Sequence, residues 1–313
     1  MAHEIEKVVL AREAAWHRLG TVLPGDIPFD DAQELAGLGF TVRLDELWTA
    51  AGVKVDSRAV VRTDTGAALG VVGPRYTPLQ NTNALEFFRP FVESGLVGLE
   101  SAGSLSGGSK VWVMAKIKKD NSVIVKNDEI AKYVLVSNSH DGKTAVRVGF
   151  TPIRVVCSNT QAQAHNSKAS KLIRICHGKN VAVNLEKMQD IINIADEEFE
   201  ATAEQYRFLA SKQFNQKDIR KFVKTVLDIK VDDADIKTRA ENRIKDIVER
   251  CVNGIEQDNP AVRGTWYAAY NGVSEYLSYA NGRNENNRYS ALWFGTAATM
   301  NANALKIATQ MAV

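Results

Sequence analysis

A chain of 313 residues, 45% hydrophobic and 24% charged, is long enough for one large or two ordinary domains, and its composition is that of a globular protein with a substantial core. No apolar run approaches the ~20 residues that cross a bilayer, and the opening MAHEIEKVV lacks an apolar signal core, so an intracellular, cytoplasmic location is expected. Cys157, Cys176 and Cys251 contain no C-x-x-C pair, fit neither a disulfide framework nor a zinc cluster, and are expected to be buried free thiols.

Residues 1–52 mix short apolar groups with Gly20, Pro24, Gly25, Pro28, Gly37 and Gly39, and read as an N-terminal arm with one short helix near Asp30 to Leu38. From Val53 the pattern becomes VKVDSRAVVRT, Asp64-Thr65-Gly66, AALGVVG, which predicts a β-hairpin. In RYTPLQNTNALEFFRPFV, Thr77 as N-cap, Pro78 and Gln80 predict a helix start. Ala84, Phe87, Phe88 and Phe91 supply the apolar stripe, and Pro90 bends or ends the helix. Leu96 to Ala102 and Lys110 to Ile117 read as strands joined by GSLSGGS. That linker precedes a strand rather than a helix, so it is a hairpin loop and not a phosphate loop. A short strand at Ser122 to Lys126 follows.

The stretch from Tyr133 to Asn159 is the most informative. Tyr133 to Val136 predicts a strand, and Asp141-Gly142 a solvent-exposed hairpin tip with His140 beside it. From Ala145 a return strand places Val146, Val148 and Phe150 on one face and Arg147, Gly149 and Thr151 on the other. The segment SNTQAQAHNSKAS predicts a small polar helix or loop, and KLIRICHGKN a last strand ending in a turn at Gly178. Beyond it only helical spacing is seen. A helix of about 28 residues starts at Asn184, others at Asn215 and around Ile244 to Ile255, one at Thr265, and one from Ser290 holding Leu292, Trp293, Phe294, Leu305 and Ile307. The fold expected is therefore α+β: an antiparallel or mixed sheet with a packed helix over 53–180, followed by an all-helical half over 181–313.

The net charge of +2 is unevenly placed. Between His140 and Asn180 there are seven cations, Lys143, Arg147, Arg154, Lys168, Lys171, Arg174 and Lys179, against the single acid Asp141, so this window carries +6 and the remainder −4. Such a window is either a solvated face or a footprint for a polyanion. In strands, cations two apart share a face and can follow a phosphate backbone, with Trp112 or Tyr133 as the nearest rings for base stacking. Catalytic signatures are missing: His140-Asp141, and Cys157 with His165 or His177, come without a third partner at a recognisable spacing, so no catalytic residue, metal or cofactor is assigned.

The segments RYTPLQNTNALEFF, SAGSLSGGSKVWVMAKI, SNSHDGKTAVRVGFTPIRVVCSNT, TWYAAYNGVSEYLSYANGR and RYSALWFGTAA resemble the phage/plasmid-like protein family, a domain of unknown function carried by bacteriophages, prophages and plasmids. The resemblance implies a mobile-element origin and a bacterial host, and transfers no catalytic residue. The element order over Val53 to Ile117 also looks like the core of phage single-strand annealing proteins, an analogy at the level of fold. Three readings follow. The first is a non-enzymatic protein that binds or anneals single-stranded DNA through the basic window and acts in replication or recombination, as a homo-oligomer. The second is an oligomeric interaction protein without a nucleic-acid role, whose interface is formed by Trp266, Tyr267, Tyr270, Tyr276, Tyr279, Trp293 and Phe294. The third is an enzyme of unrecognised type.

Overall fold

A computed structural model describes residues 5–12, 20–154, 173–187, 191–231, 235–254, 257–281 and 296–313, and it is α+β. The chain divides into two compact units: Met1–Lys119 with Lys132–Phe150 and Lys171–Ala195, and Asp120–Ala131 with Thr151–Ser170 and Asp196–Val313.

The first unit is built on a mixed sheet. Its strands are β1 (Ile5–Ala11), β2 (Thr21–Leu23), β6 (Val97–Leu105), β7 (Lys110–Ile117), β9 (Asp128–Ser139), β10 (Val146–Arg154) and β11 (Ile173–Ile175), in the spatial order β11-β10-β9-β7-β6-β1-β2. Only the β1–β2 pair is parallel among the pairs whose register is described. β3 (Val42–Trp48), β4 (Lys54–Arg62) and β5 (Ala68–Val72) form a separate three-stranded antiparallel sheet. Alternation explains the core between them. Val9, Leu99, Val111, Val113, Val134, Val136, Val146 and Val148 of the large sheet share one apolar cluster with Val42, Val60 and Val72 of the small one. Residues 1–52 thus supply β1, β2, α1 (Phe29–Leu35) and β3, and residues 53–178 are divided between two sheets rather than forming one. Long-range pairing decides this, and no local pattern encodes it.

The expected helix after Thr77 is two short ones, α2 (Asn81–Glu86) and α3 (Arg89–Glu93). Pro90 sits in the first turn of α3, where its missing N–H is harmless; inside a continuous helix it would remove a bond to residue 86. Thr77 does not cap. Its N–H donates to the His177 carbonyl, and Gln80 accepts from the Val42 N–H and donates to the Val42 carbonyl, both at 2.9 Å. The predicted stripe is nonetheless buried at Ala84, Phe87 and Phe88 and partly buried at Phe91.

In the second unit β8 (Ser122–Val125) pairs with the first residues of β9, and apart from the end of β10 the other described elements are helices. Asn184 lies inside α4 (Val181–Glu186) of the first unit and does not cap the long helix, which is described as α5 (Ile191–Ala210). Next come α6 (Gln216–Val226), α7 (Thr238–Asn253), α8 (Trp266–Tyr279) and α9 (Thr296–Met311); the predicted start at Ser290, with Leu292, Trp293 and Phe294, lies outside the described residues. α8 is buried from Trp266 to Ser278, and Thr265 caps it by accepting from the Ala268 N–H at 3.2 Å. Trp266, Tyr267, Tyr270 and Tyr276 are therefore interior side chains of this unit and not an exposed interface. No helix among the described residues is long and apolar enough to cross a membrane.

Candidate nucleic-acid interface

β11 ends the large sheet, and the β10–β11 ladder at that edge carries the predicted cations. Register pairs Val146 with Ile175, Arg147 with Arg174, and Val148 with Ile173. Val146, Val148 and Ile175 point to the core, so Arg147 and Arg174 share the opposite face. Arg174 is exposed and Arg147 half-buried. Burial first, and then the Arg174 charge, pull the Arg147 guanidinium below the usual arginine value, although it remains a cation at any physiological pH. Like charges directly opposite on a ladder are unfavourable, and an anion shared by the two offsets that repulsion.

Lys143 is exposed in the turn between β9 and β10, its N–H donating to Asp141 Oδ1 at 2.9 Å, and Lys179 is exposed just before α4. The backbone of Arg154 closes β10; Lys168 and Lys171 lie outside the described residues, as do Cys157 and His165. Four of the seven predicted cations are thus brought to one edge of the first unit.

The turn itself differs from expectation. Gly142 is exposed with φ of 72°, as the hairpin dipeptide requires, but His140 is completely buried. Its ring meets Phe40 edge-on, its backbone N–H donates to the Ser109 carbonyl at 2.7 Å, and ring Nε2 lies 2.9 Å from Asn81 Oδ1. Asn81 donates its amide to the Leu38 and Phe40 carbonyls, so its oxygen accepts and His140 carries its proton on Nε2. The turn docks on β5: a Cβ on Gly70 would lie 2.6 Å from Asp141 Cα, and one on Gly142 2.7 Å from Val72 Cγ1.

Sequence reading missed the connection between β5 and α2, which reaches the same edge. Gly73, Pro74, Arg75 and Tyr76 line a cleft of about 430 Å³ with Gly142, Lys143, Thr144, Ala145, Cys176 and His177. Three chain segments are fixed there by backbone and ring contacts. The Tyr76 hydroxyl donates to the Ser139 carbonyl at 3.1 Å, the Tyr76 and His177 rings stack with centroids 4.5 Å apart, and the Thr77 N–H donates to the His177 carbonyl at 3.0 Å. His177 Nδ1 donates to the Thr77 carbonyl at 3.3 Å, which leaves Nε2 as the other nitrogen. Burial lowers the His177 pKa, opposed by the backbone carbonyls of Thr77 and Thr144. Arg75 and Tyr76 carried a signal, a cation beside an aromatic in RYTP, that pointed only to a helix start.

Two further expectations are corrected. Cys176 is exposed rather than buried, whereas Cys251 is buried and its thiol is pushed up by burial and then by Glu275. Trp112 and Tyr133 are 2% and 5% exposed, and the Trp112 indole donates to Ser101 Oγ, so neither ring is open to a base. Among the described residues no group of three or more His, Cys, Asp or Glu is placed to hold a metal.

Comparison with curated proteins and with solved structures finds no match. A family model described as a domain of unknown function matches residues 68–293, a span that takes in β5, the cleft, the basic edge and most of the helical unit. The chain belongs to that family, Domain of unknown function (DUF932).

Proposed function

We propose that this protein is a non-enzymatic single-stranded nucleic-acid-binding protein, of annealing type, that serves the replication or recombination of a phage or plasmid. The observation that carries the reading is the facing pair Arg147 and Arg174 at the end of the sheet, flanked by exposed Lys143 and Lys179 and, across the cleft, by exposed Arg75. Cations held by a rigid ladder lose little entropy on meeting phosphates. The mobile-element context rests on the resemblance of RYTPLQNTNALEFF and SNSHDGKTAVRVGFTPIRVVCSNT to phage/plasmid-like proteins.

The reading predicts binding that depends on backbone charge more than on base identity. With Lys143, Arg147, Arg174 and Lys179 each neutralising a phosphate, log K for a labelled single-stranded oligonucleotide should fall with log salt at a slope of about −3. Oligonucleotides of different composition should share that slope. No binding at low salt, or binding indifferent to salt, sinks the proposal.

A further inference from the structure

The cleft between the β5–α2 connection and the β9–β10 turn holds more than a stretch of positive surface needs. Arg75 and Lys143 are exposed where they line it, and among the described residues no carboxylate lines it. Asp141, the acid nearest in sequence, accepts from the Ser139 hydroxyl and the Lys143 N–H instead. Thr144 Oγ1 and His177 Nε2, both on lining residues, are buried with no partner in hydrogen-bond geometry, although the Thr144 carbonyl lies near enough to act on the His177 ring. Two orphaned polar atoms beside one cleft are costly, and a ligand that reaches them removes the cost.

We infer that this cleft is a seat for a phosphomonoester group. Arg75 has the planar fork that takes two phosphate oxygens, Lys143 adds a point charge, and the Thr144 hydroxyl donates to a third oxygen. His177 Nδ1–H is committed to the Thr77 carbonyl, so Nε2 carries the lone pair and donates to the ligand only after taking up a proton from solvent or from a monoanionic phosphate, an uptake the ligand's negative charge favours. A monoester suits this donor set better than the diester of a continuous strand. It carries nearly two negative charges and three terminal oxygens, whereas a diester offers one charge and two oxygens. The phosphoryl chemistry follows from the cleft alone. Naming the phosphorylated end of a nucleic-acid strand as its source rests on the reading above, and a free nucleotide is the other source of the same group.

The test compares single-stranded oligonucleotides bearing a 5′-phosphate, a 3′-phosphate or neither, together with a phosphorus-NMR titration of a deoxynucleoside 5′-monophosphate. Each is run on the wild type, Arg75→Ala and Thr144→Val. One terminal phosphate should tighten oligonucleotide binding roughly tenfold, the worth of one or two charge-assisted hydrogen bonds. Both variants should lose that preference; Arg75→Ala should also weaken the unphosphorylated strand, because Arg75 flanks the basic edge, whereas Thr144→Val should bind that strand as the wild type does. Thr144→Val removes only an unpaired hydroxyl, so a purely structural role for Thr144 would leave the preference intact. Equal binding of phosphorylated and unphosphorylated strands, with no response to the mononucleotide, overturns the seat and leaves the basic edge standing. A mononucleotide that binds the wild type but not Arg75→Ala, with no oligonucleotide binding, keeps the seat, names the free nucleotide as its source and removes the nucleic-acid reading.

Discussion

His140 is the residue on which the turn under the basic edge depends, because it is buried among Phe40, Asn81 and the Ser109 carbonyl while lying next to the exposed tip. Burial first, then the nearby His177 and Arg62, push its pKa down from 6.5 to about 4, against the raising influence of Asp141. The folded pKa lies below the unfolded one, so the unfolded chain takes up the proton first. Stability from this group is complete above the unfolded value and is lost as pH falls toward 4, by up to about 3 kcal/mol. His177, also lowered by burial, acts in the same direction. The advantage of the wild type over His140→Gln in thermal unfolding should therefore shrink between pH 7 and pH 4. A difference that stays constant over that range would show that the ring is not held neutral.

At the scale of elements, the cleft exists because β5 lets the β9–β10 turn come against its backbone. Gly70 is the point of closest approach, since any Cβ there would press on Asp141. Gly70→Ala should cost about 1–3 kcal/mol, as overpacking does, and should displace the turn that carries Lys143 and Thr144. Melting and oligonucleotide affinity measured on the same variant check this; a loss of stability with affinity unchanged would mean the turn is not positioned by β5. This contact shows what sequence can and cannot tell. Alternation places Val146 and Val148 inward and Arg147 outward, and the Thr265 cap and the helical half follow from local signals. The approach of Gly70 to Asp141, 71 positions apart in the chain, leaves no local trace. For the same reason Arg75, Tyr76 and His177 are not legible as neighbours of Lys143, and β1 in the large sheet looks like part of an arm. His140 is misplaced because a turn dipeptide fixes the backbone and says nothing of what covers the residue beside it.

For the whole molecule the central feature is a charge asymmetry. The window from His140 to Asn180 carries +6 against −4 for the rest, and its described members lie along one sheet edge rather than being scattered. Such a distribution steers polyanions and makes association sensitive to ionic strength. The most direct test reverses two of the exposed cations on that edge, Lys143→Glu with Arg174→Glu, and measures single-stranded oligonucleotide binding at low salt beside the melting temperature. Binding should be abolished while melting stays at the wild-type value, because neither side chain is buried. Oligonucleotide binding that survives the double reversal contradicts the account.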